Sequence, residues 1–139
     1  MFRHSSPVHF RFSDMDSFGH LNNANYLTYF EEARIHYYND LVNWKYDWSK
    51  RGIILARAEV DFIVPGHFRD RAVIYTRTSK IGSKSITNEY TMVKQTGAEE
   101  IVLAKAITVA VFYNYDTLTS ANVPDDWRKA IVEFEKVNF

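Results

Sequence analysis

Residues 14–34 decide the fold, and they read DMDSFGHLNNANYLTYFEEAR. The first part is polar and rich in turn formers, with Gly19 and the pair Asn22 and Asn23 marking a turn that leads into a helix cap. From Ala24 onward, aromatic and aliphatic residues recur at helical spacing. This stretch therefore predicts a loop that leads directly into a helix.

The helix is predicted from Ala24 to about Val42. Its apolar positions recur at spacings of three and four, the period of one helix face; they are Tyr26, Phe30, Ala33, Tyr37 and Leu41. Polar residues such as Glu31, Glu32 and His36 fall on the other faces. We therefore expect one long amphipathic helix whose aromatic face packs on a sheet.

Five β-strands flank this helix in the sequence. One precedes it over residues 7–13, where Val8, Phe10 and Phe12 alternate with polar residues. Four follow it, over residues 53–64, 72–81, 85–94 and 101–113, and the middle two form a hairpin. The last strand carries a face of small residues, which lets a helix approach closely; they are Ala104, Ala106, Thr108 and Ala110.

A short helix completes the chain, with Trp127, Ala130, Ile131 and Phe134 on one face after Pro124. The order of strand, helix, four strands and helix predicts one α+β domain over residues 1–139, with a five-stranded antiparallel sheet around one long central helix. Such a sheet leaves edge strands unpaired, and aromatic residues make up 16% of the chain. Dimerisation is the expected remedy.

Composition excludes several classes of function. Lys plus Arg and Asp plus Glu both count 17, so no net charge attracts nucleic acid or an anionic membrane. The absence of cysteine excludes disulfides, thiolate zinc ligands and thiol nucleophiles. No stretch approaches the roughly 18 apolar residues of a membrane span, and the N-terminus has no apolar signal-peptide core, so a soluble cytoplasmic protein is expected.

Familiar catalytic motifs are also missing from the sequence. It contains no Gly-x-Ser-x-Gly elbow, no phosphate-binding glycine loop and no His-Glu-x-x-His. The five histidines, at positions 4, 9, 20, 36 and 67, lack metal-ligand spacing, so no metal site is predicted.

What remains is the loop before the helix, where Asp14, Asp16, His20, Asn22 and Asn23 crowd together. These residue types also serve as turn and cap formers, so a plain connection is an open alternative. However, no acidic residue enters the first helical turn, which leaves free N–H groups and the positive helix end available to a carbonyl oxygen. An ionised Asp16 just upstream is able to attack a carbonyl or to deprotonate water.

The stretch from Asp14 to Arg34 resembles the 4-hydroxybenzoyl-CoA thioesterase family of hotdog-fold proteins, and the likeness continues through Val64-Pro65 and residues 81–85 to cover essentially the whole chain. The resemblance implies a curved sheet around a helix, dimers with a continuous sheet that often pair again into tetramers, and active sites at the subunit boundary. It implies hydrolysis of an acyl-CoA or acyl-carrier-protein thioester to free acid and thiol. No cofactor is implied, because coenzyme A is part of the substrate.

The resemblance also assigns roles to residues. The catalytic carboxylate falls on Asp16, either as a nucleophile or, as we favour, as a general base that activates water. The backbone amide that polarises the carbonyl falls near Asn23. Asn22 and Tyr26 match neighbouring pocket positions, and His20 is expected to shape the loop or the water site.

Further candidates lie outside the loop or at its tip. Phe18, Tyr26 and Tyr29 are candidates for an acyl pocket, with ordinary core packing of at least one of them as the alternative. Lys80, Lys84 and Ser85 flank the hairpin turn and could contact the phosphates or pantetheine of coenzyme A, with a solvated hairpin tip as the alternative.

The helix residues Glu31 and Arg34 stand three apart, which predicts a structural ion pair on one helix face.

Two other functions fit the same pattern. Hotdog hydratases and dehydratases also use a loop Asp and a His, and Asp16 and His20 stand four apart, but a Pro near the His is absent here. A non-catalytic acyl-CoA binding module would use the same pocket without turnover. The acyl group itself depends on how two subunits meet, and the sequence does not specify it.

Overall fold

The computed structural model describes residues 1–43 and 49–139. It contains two helices, α1 (Asn23–Val42) and α2 (Asp125–Glu135). Five long strands are present: β1 (His4–Val8), β2 (Arg51–Phe62), β3 (Ala72–Ile81), β4 (Ser85–Thr96) and β5 (Glu99–Asn114). A two-residue strand, β6 (Thr119–Ser120), pairs with the end of β5.

The sheet is antiparallel throughout and has the spatial order β1-β3-β4-β5-β2. Its ladders contain three register shifts, between Leu55 and Arg57 of β2, between Thr78 and Lys80 of β3, and opposite Met92 and Val93 of β4. Bulges of this kind increase local twist. The sheet can therefore curve around α1, and the predicted α+β architecture is confirmed.

Most predicted boundaries agree with the structure, but the first strand does not. The prediction placed it over residues 7–13, whereas β1 ends at Val8 and a short 3-10 turn covers Phe12–Asp14. Val8 pairs with Ala72, the first residue of β3, so the partner strand ends there. Alternation in the sequence continues past this point, but Phe12 is 80% exposed.

The small-residue face of β5 is buried, and two of its residues, Ala104 and Ala106, belong to the core cluster that contains Phe30 of α1; Ala104, Ala106, Thr108 and Ala110 are each at most 4% exposed. The core has two clusters. The first lies under the N-terminal half of α1, where Phe30 packs on Tyr90. The second joins the C-terminal half of α1 to α2, where Tyr38 packs on Trp127.

Glu135 ties these layers together. Its Oε1 accepts hydrogen bonds from the Tyr37 hydroxyl at 2.6 Å and from the Thr78 N–H at 3.0 Å, which links α2 to α1 and β3.

Neither of the two described helices combines the length and the apolar character that a membrane-spanning helix requires.

Candidate active site

The loop between β1 and α1 folds back on itself. Met15 and Leu21 form an antiparallel bridge, the Asp16 N–H donates to the His20 carbonyl at 2.8 Å, and the Gly19 N–H donates to the Asp16 carbonyl at 3.0 Å. Gly19 has a φ of 76°, a left-handed conformation that glycine adopts at no steric cost. The result is a tight turn that exposes residues 17–19 at its tip.

Asp16 lies at the base of this turn, half-buried. Its Oδ1 accepts hydrogen bonds from the backbone N–H groups of Phe18 at 2.9 Å and His20 at 3.1 Å. Its Oδ2 accepts no hydrogen bond from the described residues. One oxygen therefore fixes the orientation of the carboxylate, and the other is free to contact a water or a substrate.

Asp14 is arranged differently, with 1% exposure. Its carboxylate accepts hydrogen bonds from the Arg11 backbone and side chain and from the Tyr29 hydroxyl. Burial alone would raise the pKa of Asp14, but the hydrogen bonds from Arg11 and Tyr29 and the Arg11 charge outweigh it, so its pKa is lowered. Asp14 anchors the loop and is not open to a substrate.

The start of α1 provides a free donor beside this loop. The Asn22 side chain caps the helix by accepting from the Ala24 N–H at 3.1 Å, and the Asn22 N–H donates to the Asp14 carbonyl at 2.9 Å. In residues 1–43 and 49–139, no acceptor contacts the N–H of Asn23. The first turn contains no acidic residue, so the positive helix end is not neutralised by a side chain.

His20 and Phe18 form an aromatic rim around Asp16. The His20 ring packs edge-on against His67 at 5.2 Å between centroids, and Phe18 lies 6.4 Å from His20. Phe18 is 82% exposed, so it is not part of the core. Among the described hydrogen bonds, none joins the His20 ring to Asp16, so these two side chains do not form a dyad in one chain.

Tyr26 lies beneath the loop, 2% exposed, with its ring 5.0 Å from that of Phe62 in edge-to-face contact. Burial raises the pKa of its hydroxyl. The packing alternative for Tyr26 is therefore realised in the single chain.

The hairpin residues Lys80, Lys84 and Ser85 lie far from Asp16 in the same chain. The Gly82 carbonyl of this hairpin accepts from Arg128 of α2 at 2.7 Å, which places it beside the C-terminal half of α1. Asp16 lies at the other end of that 20-residue helix, a length of roughly 30 Å at 1.5 Å per residue. One chain does not bring the two groups together.

A cleft of about 280 Å³ opens between α1 and β2. Its lining combines two charged residues with apolar and aromatic ones, namely Glu31, Arg34, Ile35, Tyr38, Gly52, Ile53, Leu55 and Tyr115. Asp16 does not line this cleft. The cleft lies at the N-terminal end of β2, whereas Tyr26, in the first turn of α1 just after the Asp16 loop, packs on Phe62 at the C-terminal end of β2.

Sequence reasoning missed the burial of Arg34, which is 8% exposed. The expected pair with Glu31 is present but loose, with 3.9 Å between Nη2 and Oε2. A signal was available, because Arg34 stands four residues from Phe30 and from Tyr38, both of which are buried. Within the described residues, no group of three or more acidic or histidine side chains could hold a metal ion.

Comparison with known proteins supplies further findings. Residues 10–131 match the model of the thioesterase-like superfamily. Protein YsmA of Bacillus subtilis (strain 168) is 35% identical over 85 residues, which is 61% of this chain. That match spans 57% of the length of YsmA.

Solved structures share the fold over nearly the full chain. A thioesterase from Thermus thermophilus in complex with coenzyme A and zinc is 29% identical, with a TM-score of 0.83 and coverage of 99% of this chain and 98% of that one. A mutant 4-hydroxybenzoyl-CoA thioesterase in complex with 4-hydroxybenzoyl-CoA is 18% identical, with a TM-score of 0.84 and coverage of 91% and 96%. The predicted hotdog fold is thereby confirmed.

Proposed function

The chain belongs to the thioesterase-like superfamily, and from this we propose that it hydrolyses acyl-CoA thioesters with Asp16 as the general base. The observation that carries the proposal is the loop itself. It holds Asp16 Oδ1 with two backbone donors and leaves Oδ2 free, on the same short loop that ends at the unpartnered N–H of Asn23. Base and oxyanion donor are thus supplied by one rigid segment.

The proposed reaction uses water as the second substrate. The Asn23 N–H and the positive helix end polarise the thioester carbonyl, and Asp16 takes a proton from water as its oxygen attacks the carbonyl carbon. The tetrahedral intermediate then breaks its C–S bond, the proton passes to the thiolate, and the products are free acid and free thiol. Direct attack by Asp16 is the alternative route.

The neighbouring residues have positioning roles in this proposal. The Asn22 side chain holds the first helical turn, and the His20 backbone holds the Asp16 carboxylate. Phe18, exposed at the loop tip, is placed to contact a bound substrate, and Tyr26 packs in the core cluster that includes Leu21 of the loop.

We also propose that the active unit is a homodimer joined along β2. Among the described strands, this twelve-residue strand lies at the edge of the sheet and pairs only with β5. Apolar side chains along it are exposed, with Ile54 at 40%, Leu55 at 40%, Phe62 at 48% and the following Ile63 at 52%. A long apolar edge left open is a template for pairing with another strand.

Antiparallel pairing of two β2 strands completes the site. The Asp16 loop lies toward the C-terminal end of β2, because the Leu21 N–H donates at 2.7 Å to the carbonyl of Gly66, in the segment that follows Phe62. The cleft lies at the N-terminal end. A two-fold axis across β2 brings the loop of one chain beside the cleft of the other, and brings Lys80, Lys84 and Ser85 of the partner subunit toward the bound coenzyme A.

The catalytic proposal is tested with Asp16→Asn in a thiol-release assay over a panel of acyl-CoA and acyl-carrier-protein thioesters. The amide oxygen keeps the bonds from Phe18 and His20, so the fold is retained, while kcat falls about a hundredfold or more. Ser17→Ala, on the exposed tip of the same loop, is the matched control. Retention of activity by Asp16→Asn would remove Asp16 from the mechanism.

The same assay distinguishes the alternatives. Hydration of an enoyl-CoA without thiol release would indicate a hydratase, and saturable binding without turnover would indicate a binding module. A single turnover in ¹⁸O-labelled water tests for nucleophilic attack, because label found in the Asp16 carboxylate requires an anhydride that water opens at the aspartyl carbon. General-base catalysis delivers label to the product acid and leaves Asp16 unlabelled.

The dimer is tested by light scattering after size exclusion. The double variant Ile54→Lys and Ile63→Lys places two charges on the open edge, so it should be monomeric and should lose activity. The same measurement on the wild-type chain distinguishes a dimer from a dimer of dimers. A monomeric and fully active wild-type chain would contradict the shared site.

A further inference from the structure

Arg34 is a buried cation with few partners. Its Nη1 donates one long hydrogen bond, 3.4 Å, to the Tyr90 hydroxyl. The carboxylate of Glu31 is 3.9 Å away, and the Glu31 side chain is 62% exposed. Burying a guanidinium is costly unless an anion compensates it closely, and Glu31 does so poorly.

The remaining donors of Arg34 face the cleft between α1 and β2. Its Nε and Nη2 donate no hydrogen bond to the described residues. Neither atom is completely buried, because the described side-chain atoms that are both fully buried and unpaired are His4 Nδ1 and Thr76 Oγ1. Arg34 lines the cleft. The free N–H groups are therefore accessible from it.

The rest of the cleft selects the kind of molecule that can approach these donors. Ile35, Ile53 and Leu55 line it with aliphatic carbon, so a ligand needs an apolar body. Its tip must be an acceptor. A carboxylate accepts two parallel N–H bonds from a guanidinium, which a hydroxyl or a methyl group cannot do, and the exposed Glu31 is free to turn toward solvent.

We propose that this cleft binds the distal end of an acyl group that terminates in a carboxylate, with Arg34 as the residue that determines this specificity. The inference rests on the proposed function, because the acyl group enters from the thioester held by Asp16 of the partner subunit. A six-carbon dicarboxylic acyl group, adipoyl, carries an apolar methylene chain between its thioester carbonyl and its terminal carboxylate, so it has the chemistry that the aliphatic lining and Arg34 would accept, and it serves as the test ligand.

The experiment compares kcat/KM for adipoyl-CoA, hexanoyl-CoA and 6-hydroxyhexanoyl-CoA, which differ only at the tip. The wild-type chain should prefer adipoyl-CoA about tenfold or more, as a charge-assisted hydrogen bond provides. Arg34→Met should bring the adipoyl to hexanoyl ratio to about one or below, and Glu31→Gln should raise it. Arg69→Met, which removes an exposed arginine elsewhere, should leave the ratio unchanged.

A second measurement is independent of turnover and of the folding of the Arg34 variant. Free adipate should raise the Tm of the wild-type chain more than hexanoate does, and Glu31→Gln should increase that shift. The inference is overturned if thiol release shows no preference for adipoyl-CoA, if 6-hydroxyhexanoyl-CoA is preferred, or if adipate and hexanoate stabilise equally. Failure of the proposed function gives a different result, because no thioester is then cleaved. In that case the shift in Tm caused by adipate tests by itself whether the cleft binds a carboxylate.

Discussion

Replacement of Asp14 by alanine should destabilise the protein while leaving the candidate base, Asp16, in place. The Asp14 carboxylate is 1% exposed and holds the loop through the Arg11 backbone N–H, the Arg11 side chain and the Tyr29 hydroxyl. Alanine removes all of these bonds. Among the described residues, the bond that remains to the Tyr29 hydroxyl is a longer one to the His9 carbonyl, at 3.3 Å.

The expected magnitude follows from two of these bonds. Hydrogen bonds to a buried charged group contribute about 1.5–3 kcal/mol each, so loss of the bonds from Tyr29 and from the Arg11 backbone should cost ~3 kcal/mol or more. The Arg11 side chain is exposed, so its ion pair is left out of this figure. For a chain of this length the Tm should fall by roughly 10 °C.

Urea unfolding at a series of pH values tests the reasoning. The pKa of Asp14 is lower in the folded chain than in the unfolded one, so its stabilisation is complete above the unfolded value near 4 and is lost as the pH falls through the folded value. The difference between wild type and Asp14→Ala should therefore shrink in acid, and Ser13→Ala is the exposed neighbouring control. The reasoning is refuted if the difference in unfolding free energy between wild type and Asp14→Ala stays constant from neutral pH to pH 2. It is also refuted if that difference is under about 0.5 kcal/mol at neutral pH.

Two further outcomes follow from the same contacts. Burial and the bond to Asp14 raise the pKa of Tyr29 to about 12, above its unfolded value near 10. The stability that the Tyr29 hydroxyl contributes is therefore full below pH 10 and declines toward pH 12. In an ultraviolet titration, the absorbance of tyrosinate in wild type should exceed that in Tyr29→Phe only above pH 11. Glu135→Ala removes the acceptor of the Tyr37 hydroxyl and of the Thr78 N–H, so chemical denaturation should show that the free energy of unfolding falls by about 2–3 kcal/mol. The control Glu133→Ala, at an exposed position of the same helix, should unfold within about 0.5 kcal/mol of wild type.

Much of the fold could be predicted from periodicity. The bounds of β3 and the start of β4 coincide with the predicted strands, because Gly82 and its neighbours end one period-two pattern and begin the next. The helix begins at Asn23 because Asn22 is a strong cap, which the sequence shows directly. The family assignment also agrees with the enzyme class predicted from the sequence.

The end of β1 could not be predicted in this way. Val8 and Phe10 are both buried, so the alternation is real, but a strand extends only as far as its partner. Here the partner, β3, begins at Ala72.

The candidate site could likewise be predicted only in part from the sequence. Asp14 and Asp16 look alike in the sequence, but contacts with Arg11 and with the distant Tyr29 make Asp14 an anchor. Asp16 keeps one carboxylate oxygen without a partner among the described residues. The spacing of Arg34, four residues from Phe30 and from Tyr38, places it on the buried face of α1, but the extent of its burial depends on how closely α1 approaches the sheet. Lys80 lies far from Asp16 in one chain, at the other end of α1, so an approach of the two residues requires the proposed dimer.

The placement of the catalytic loop and the cleft at opposite ends of β2 has a consequence for mixtures of variants. In the proposed dimer each site takes Asp16 from one chain and Arg34 from the other. A heterodimer of an Asp16→Asn chain and an Arg34→Met chain therefore carries both lesions in one site and none in the other. Random reassembly of two impaired proteins should restore about a quarter of the wild-type adipoyl-CoA activity, because half the dimers are mixed and each has one intact site.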